Sequence, residues 1–364
     1  MSEGRLVLLN PGPVNVHEKV RAAIAAPDLC HREPEAADLM AAVSTKVTEV
    51  CGAGGDHRSV LLTGSGTAAL EATIASVVPP NGRLLVLDNG HYGERLHRIA
   101  AAHGLPSQRL EFGWATPIDL EMVAAALLAD PSITHVGLVH HETSTGMLNP
   151  LRAVGDLVAG HGRTLIVDAI SSLGSEQLDM AADHIGWCIG TANKCLEGLP
   201  GISFVCAPRA GFASLADLPT RGLYLDLHTH YRAQVQAQTF AFTPALGVLH
   251  AFDVALDLML AEGVASRGRR YAELAQLIRD GLTQRGVQLL LPPEHRANSL
   301  TNAHLANGMT YQELHDGLRR RGYVIYATQD RAAGVFRLAN MGQLTEADIA
   351  GLFVAFDEVT TERR

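Results

Sequence analysis

Asp168 and Lys194 are the two residues whose type and spacing most plainly suggest chemistry. Asp168 closes the apolar run Thr164-Leu-Ile-Val-Asp168, and Lys194 stands just beyond the next one, Gly186-Trp-Cys-Ile-Gly190. Apolar runs of this kind read as strands buried on both faces of a parallel sheet. A carboxylate and an amine delivered at neighbouring strand ends meet in the crevice where α/β sheets bind ligands. Lysine is scarce here: the 29 basic residues include only Lys19, Lys46 and Lys194, and the first two lie in polar, helix-like contexts. An average lysine is a surface charge. Lys194 instead has apolar or small flanks, in a chain that otherwise uses arginine for surface charge. An amine that must lose its proton and attack a carbonyl cannot be arginine, which stays protonated. Paired with a carboxylate, it points to pyridoxal 5′-phosphate, with Lys194 bonded to the cofactor aldehyde and Asp168 keeping the ring nitrogen protonated.

Such a cofactor needs a phosphate anchor. The short strand Ser59-Val-Leu-Leu-Thr63 runs straight into Gly64-Ser-Gly-Thr67 and a helix. Small residues leave the first helical N–H groups open, and the helix dipole favours an anion there. The stretch is neither a dinucleotide fingerprint nor a Walker loop, and tight strand–helix packing uses the same residues. Three further strand ends carry candidates. Tyr92, after Arg83-Leu-Leu-Val-Leu-Asp88, has a ring that could stack on a flat cofactor or simply pack with its hydroxyl wet. Thr143, after Thr134-His-Val-Gly-Leu-Val-His140, could bond a cofactor oxygen or cap a turn. Arg337 lies inside Val335-Phe-Arg-Leu-Ala339, where a charge is costly unless paired; a substrate anion is favoured over a salt bridge. Near the start, Asn10-Pro-Gly-Pro13 forbids regular structure and brings backbone close to a turn or a ligand. Arg32, in Cys30-His-Arg-Glu-Pro-Glu35, reads equally as an anion ligand or a helix-flanking charge.

These residues must be positioned by a sizeable core. With 364 residues, 47% of them hydrophobic, the chain can bury one and divides into unequal units. The expectation is a large cofactor-binding domain over 21–260, a small C-terminal domain over 261–364, and a segment 1–20 serving the site and the small domain. Strands alternate with helices, so the class is α/β with a mostly parallel sheet. After residue 206 the alternation loosens, and a smaller α+β unit is expected, with helices over 270–285, 311–321 and 346–360 and strands over 322–326 and 335–339. A net charge of −9 and a pI near 6.0 argue against nucleic-acid and anionic-membrane partners. No apolar run is long enough to span a bilayer. The opening Met1-Ser-Glu-Gly-Arg5 lacks a signal-peptide pattern. The five cysteines, odd in number and without a C-x-x-C pair, suit reduced thiols in a cytoplasmic enzyme. The 17 histidines are dispersed and show no familiar ligand spacing, so no metal is expected.

The motifs Asn10-Pro-Gly-Pro13, Gly64-Ser-Gly-Thr67, Glu142-Thr-Ser-Thr-Gly-Met-Leu-Asn-Pro150, Val167-Asp-Ala-Ile-Ser-Ser172, Thr191-Ala-Asn-Lys-Cys195 and Phe336-Arg-Leu-Ala-Asn-Met-Gly342 occur in that order. Together they resemble the class V, fold-type I aminotransferases over nearly the whole chain. Ala192-Asn-Lys-Cys195 with Gly198-Leu-Pro-Gly201, and Thr145-Gly-Met-Leu-Asn-Pro150, resemble the branch that moves the amine of 2-aminoethylphosphonate to pyruvate. The other motifs are shared with the alanine:glyoxylate and serine:pyruvate branches, and Cys30-His-Arg-Glu33 is similar to loops in several branches.

The resemblance implies a fold-type I architecture, a mostly parallel seven-stranded sheet plus a smaller α+β domain, working as a homodimer with shared sites. It implies pyridoxal phosphate as cofactor, Lys194 as the catalytic amine and Asp168 on the ring nitrogen. Ser65, Gly66 and Thr67 would hold the phosphate, joined by Thr243 of the partner subunit. Tyr92 would stack on the ring, with Thr143 and Ser171 beside it. Arg337 would bind the substrate anion, near Asn10, Gly12 and Arg32, with Arg221 a further arginine in reach. Its substrates would be an aminophosphonate or amino acid and a 2-oxo acid. The rival outside enzymes is a cofactor-binding regulatory protein without turnover, against which the acidic charge argues.

Overall fold

In the computed structural model of the protein, residues 5–306, 308–327 and 334–362 are described. The first four residues, on which the reading of the chain's start partly rests, lie outside them. In chain order the strands are β1 (Val7–Leu9), β2 (His57–Thr63), β3 (Arg83–Asp88), β4 (Ser107–Glu111), β5 (Ile133–Val139), β6 (His141–Glu142) and β7 (Met147–Leu148). They continue as β8 (Thr164–Asp168), β9 (Ile185–Thr191), β10 (Ile202–Pro208), β11 (Leu300–His304), β12 (Tyr323–Ala327) and β13 (Val335–Ala339).

Seven of them form one sheet in the order β2-β10-β9-β8-β5-β3-β4. Strand β10 alone runs against the other six, antiparallel to both β2 and β9; β3, β4, β5, β8 and β9 pair in parallel. The sequence accounts for this. Leu84 to Leu87 are all buried, yet Leu84 and Val86 join one apolar cluster while Leu85 and Leu87 join another. Successive side chains leave opposite faces of a strand, so a continuous apolar run needs cover on both sides. Helices Gly66–Val77, His91–Ala102, Leu120–Ala129 and Leu151–Gly160 make the crossovers. The fold-type I, mostly parallel seven-stranded α/β sheet expected from the sequence is what the chain forms.

A second sheet, ordered β1-β12-β13-β11, packs under helices Val264–Gln284, Tyr311–Arg320 and Glu346–Thr361 around its own cluster of Leu274, Ile278, Leu314, Phe336 and Leu352. Strand β1 pairs in parallel with β12, bringing the start of the chain to its far end. The sequence pattern located β3 and β13 to the residue. It missed β4, a half-exposed edge strand of mixed residues, and β11, whose Leu-Thr-Asn-Ala-His lacks an apolar run. The run over 164–168 is a strand that ends at Asp168, as expected, and the helix expected from 270 begins at Val264, right after Gly263 at φ 84°.

Candidate active site

Strand β9 ends at Thr191, and the turn after it carries Lys194. Thr191 Oγ1 donates to Asn193 Oδ1 at 2.9 Å, and Gly198 N donates to the Ala192 carbonyl at 2.8 Å. The lysine ammonium donates to the Pro11 carbonyl. Gly12, at φ 94°, lies against the lysine stem: a Cβ there would meet Lys194 Cδ at 2.9 Å. Only glycine takes that backbone shape and leaves that passage. Burial pushes the proton affinity of Lys194 below the usual lysine range; Arg337 adds to this, while Tyr92, Cys195 and Asp168 oppose it. An amine held this way sheds its proton more readily and becomes a nucleophile.

Asp168 ends the neighbouring parallel strand β8 and is buried. Burial raises its carboxyl to about 6, against the pull of the Ile170 N–H at 3.0 Å and the charges of Arg95 and Lys194. Ile170 in turn presses on the start of helix Gly66–Val77: a Cβ on Gly66 would come within 2.5 Å of Ile170 Cδ1. Ser65 is the N-cap of that helix and its side chain makes no capping bond. The first N–H groups of the helix therefore stay available for an anion. Thr67, in the first turn, accepts from Arg95 Nη1 at 3.3 Å.

Tyr92 opens helix His91–Ala102 beyond β3. The Arg95 guanidinium lies 4.5 Å from its ring centroid, and His91 meets it edge-on at 5.6 Å. Burial raises the phenol's proton affinity, but the charge of Lys194, the nearby Thr143 side chain and the charges of Arg337 and Arg95 outweigh it, and the net shift is downward. Thr143 lies past the end of β5, its Oγ1 buried with no hydrogen-bond partner among the described residues. Beside it stands Glu142, which the sequence reading passed over. Its Oε2 accepts from Tyr92 N at 3.0 Å and Gly93 N at 3.1 Å, and its Oε1 accepts from Ser144 N at 3.1 Å and Ser144 Oγ at 2.5 Å. Burial lifts its carboxyl to about 7, opposed by those four donors. Glu142 thus fixes where Tyr92 enters its helix. Its signal was an acid following an apolar strand, in a place with no water to solvate it.

Arg337 is buried in β13. Its Nη1 donates to the Thr143 carbonyl and its Nε to that of Ala327, each at 3.0 Å, and Nη2 also reaches Ala327. Burial lowers its proton affinity, with Tyr92 and Glu142 opposing. Asn10 Nδ2 donates to the Pro13 carbonyl at 2.7 Å, so it braces the turn that carries Gly12. The Ser171 carbonyl accepts from His141 Nδ1 at 3.2 Å and from Cys195 Sγ at 3.5 Å, joining β8's following turn to the lysine turn.

Three expected residues stand apart. Arg32 is exposed and donates to Thr239 Oγ1 at 3.1 Å and to the Phe240 carbonyl at 2.6 Å. Thr243 is exposed on the same loop, whose Ala245 N reaches Thr63 Oγ1 at 3.1 Å. Arg221 donates to the Ala75 carbonyl at 2.7 Å, at the opposite end of helix Gly66–Val77 from Ser65.

Fold and site together define a class, and the comparisons agree. Residues 15–343 match the family model for class-V aminotransferases, and the chain belongs to that family. Within it, the chain is 35% identical over 357 residues to the 2-aminoethylphosphonate–pyruvate transaminase of Syntrophobacter fumaroxidans, covering 97% of this chain and 96% of that one. To the enzyme of the same name from Salmonella enteritidis it is 33% identical over 359 residues, 98% of each. Among solved structures it is similar to pyridoxamine–pyruvate aminotransferase from Mesorhizobium loti, with TM-score 0.92, 27% identity and coverage of 100% of this chain and 94% of that one. The alanine–glyoxylate aminotransferase from Nostoc sp. superposes with TM-score 0.93 at 26% identity, covering 99% of this chain and 96% of that one.

Proposed function

We propose that the chain uses pyridoxal 5′-phosphate to transfer the amino group of 2-aminoethylphosphonate to pyruvate, giving phosphonoacetaldehyde and L-alanine. The observation that carries the chemistry is a half-buried amine of lowered proton affinity, just beyond the strand next to the one that ends in a buried carboxylate. The choice of donor rests on relatives of that name aligned over almost the whole chain.

The residues fit the cofactor. A Cβ on Gly12 would press on the Lys194 stem and one on Gly66 on Ile170, the Thr143 hydroxyl is buried near Tyr92 with no well-formed hydrogen bond among the described residues, and the helix start at Ser65 is open for a phosphate. Lys194 would take the cofactor aldehyde, Asp168 the ring nitrogen, and Ser65, Gly66 and Thr67 the phosphate, with Tyr92 on the ring face and Thr143 and Ser171 alongside. When bound, the cofactor supplies an electron sink for the pair left on the donor carbon. Lys194 Nζ takes the proton from the amine-bearing carbon of the donor and later returns one to the carbon that becomes the α-carbon of alanine. Asp168, ionised, keeps the ring nitrogen protonated. Arg337 holds the phosphonate of one substrate and the carboxylate of the other, near the backbone of Asn10 and Gly12. Arg32 serves the site by holding the loop of Thr243.

The active unit in this reading is a homodimer, each site completed by Thr243 of the partner subunit. The exposed position of Thr243, on a loop joined to the end of β2, supports it. We also divide the chain at about residue 260, because the second sheet has its own apolar cluster, and assign 1–20 to both parts. The five unpaired thiols suit a cytoplasmic setting. Among the described residues, no helix is long and apolar enough to cross a membrane.

The test is kcat/KM for 2-aminoethylphosphonate against L-serine and L-alanine, with pyruvate and with glyoxylate. Preference for 2-aminoethylphosphonate is expected. A preference of about tenfold for serine or alanine would transfer the assignment to a serine:pyruvate or alanine:glyoxylate activity.

A further inference from the structure

Three residues past Lys194 the backbone takes a shape that residues with a side chain rarely adopt. Glu197 sits at φ 59°, in the left-handed region. Its N–H donates to the Lys194 carbonyl at 2.9 Å, closing the lysine turn. Its side chain is buried, so its charge must be matched locally. Oε1 accepts from Arg270 Nη2 at 2.8 Å and from the Tyr271 hydroxyl at 2.7 Å, while Oε2 accepts from the Gln343 amide, with Arg267 Nη2 at 3.9 Å. Glu262 balances the two arginines, 2.8 Å from Arg267 and 2.7 Å from Arg270.

The partners come from two elements remote in sequence: helix Val264–Gln284, and the segment that follows β13. The Tyr271 hydroxyl also accepts from Gly342 N at 3.0 Å, and Gln343 N donates to the Asn15 carbonyl at 2.8 Å. Asn15 lies just past the Pro11–Pro13 turn whose carbonyl receives the Lys194 ammonium. The connections close a loop: Lys194 to Glu197, to Gly342 and Gln343, to Asn15, and back to Lys194. Arg337 is on β13, just before that segment.

We propose that Glu197 is a positioning residue for Lys194, its buried carboxylate clamping the lysine turn to helix Val264–Gln284 and to the 342–343 segment so that the amine and Arg337 keep a fixed separation. The inference rests on the reaction proposed above. An ion pair serving stability alone would need neither a left-handed residue inside the lysine turn nor partners drawn from the segment that carries the anion-binding arginine. The groups bearing on the amine are Tyr92, Cys195, Arg337 and Asp168. Slack in the clamp moves Lys194 away from them and toward water, which returns its proton affinity toward that of a free lysine.

Three full-length variants separate backbone from side chain. Glu197→Ala removes the carboxylate. Glu197→Asn also removes its reach but tolerates the left-handed backbone. Glu197→Gln keeps the length and one of the two acceptor oxygens. One readout is kcat and KM for each substrate in the holoenzyme. The other is the pH profile of Lys194 acetylation by acetic anhydride in the cofactor-free chain, followed by peptide mass spectrometry. For Ala and Asn, kcat is expected to fall about ten- to a hundredfold, and the acetylation midpoint to move to higher pH; Gln is expected to retain most of the wild-type values of both. Wild-type kcat and an unmoved acetylation profile in Glu197→Asn would overturn the proposal, whatever happens to Tm, and would leave Glu197 a stabilising ion pair. Should Glu197→Ala fail to fold, Asn and Gln carry the comparison. Absence of transamination in the wild type would defeat the functional reading instead, and the acetylation profile would still decide the clamp.

Discussion

Lys194, half-buried, and Arg337, buried, are cations whose proton affinity desolvation lowers, yet they are held in opposite ways. Lys194 projects from a turn and, among the described residues, donates to the Pro11 carbonyl alone. Arg337 lies in the middle of a strand and spends its guanidinium on the carbonyls of Thr143 and Ala327. Burial disfavours the charged form of both, but a guanidinium keeps its proton while a lysine amine can lose it. The lysine suits attack on a carbonyl, and the planar, permanently charged arginine suits anion binding.

The comparison breaks first at Lys194. Lys194→Ala is expected to cost several orders of magnitude in turnover and to change the visible absorbance of the bound cofactor, while the melting transition persists. Substantial residual activity, or an unchanged spectrum, would remove the lysine from its role. Asp168→Asn comes next, slowing the chemistry more than it weakens cofactor binding. Its pH dependence sharpens the point. Burial raises the Asp168 carboxyl to about 6, so it takes up a proton as the pH falls through that value and loses the charge the ring nitrogen needs. Cofactor affinity should therefore decline below about pH 6 in the wild type and stay flat there in Asp168→Asn, which a titration of Kd against pH would show.

A smaller loss is expected for Arg337→Lys, which keeps the charge but not the fork that reaches two carbonyls. Both half-reactions should lose about 1–3 kcal/mol of transition-state stabilisation in kcat/KM; a loss confined to one substrate would mean that the arginine does not serve both. The smallest effect belongs to Arg32, which is exposed and holds the 239–240 backbone. Arg32→Ala should lower cofactor affinity or dimer stability slightly and leave the preference among donors unchanged. A shift in donor preference would return Arg32 to the substrate.

The large sheet and its strand-end residues were legible because both signals are local. A continuous apolar run followed by Gly-Ser-Gly-Thr, or by Asp, needs no partner to be read, and Ser65, Tyr92, Thr143, Asp168 and Lys194 each follow such a run. Strands β1, β4 and β11 were not legible, since short or half-polar segments become strands only when a neighbour supplies their hydrogen bonds. Glu142 was visible as a letter but not as a function, because its four donors are set by how helix His91–Ala102 meets the turn at Ser144.

The sequence by itself determined the chemical inventory: a lone lysine among apolar residues, an acid at the end of a buried strand, and a glycine-rich helix start. Residue type and short-range periodicity suffice for these, since they concern what a side chain can do and which face of its strand it leaves. Only the tertiary structure decided how the inventory is used. It tied Arg32 and Arg221 to backbone carbonyls and brought Arg337 to the Thr143 carbonyl, 194 residues away in the chain. It also surrounded Glu197 with Arg270, Tyr271 and Gln343. Burial and opposing charge set the proton affinities of Lys194 and Asp168, and both depend on which distant segments close over a residue, something no local pattern encodes.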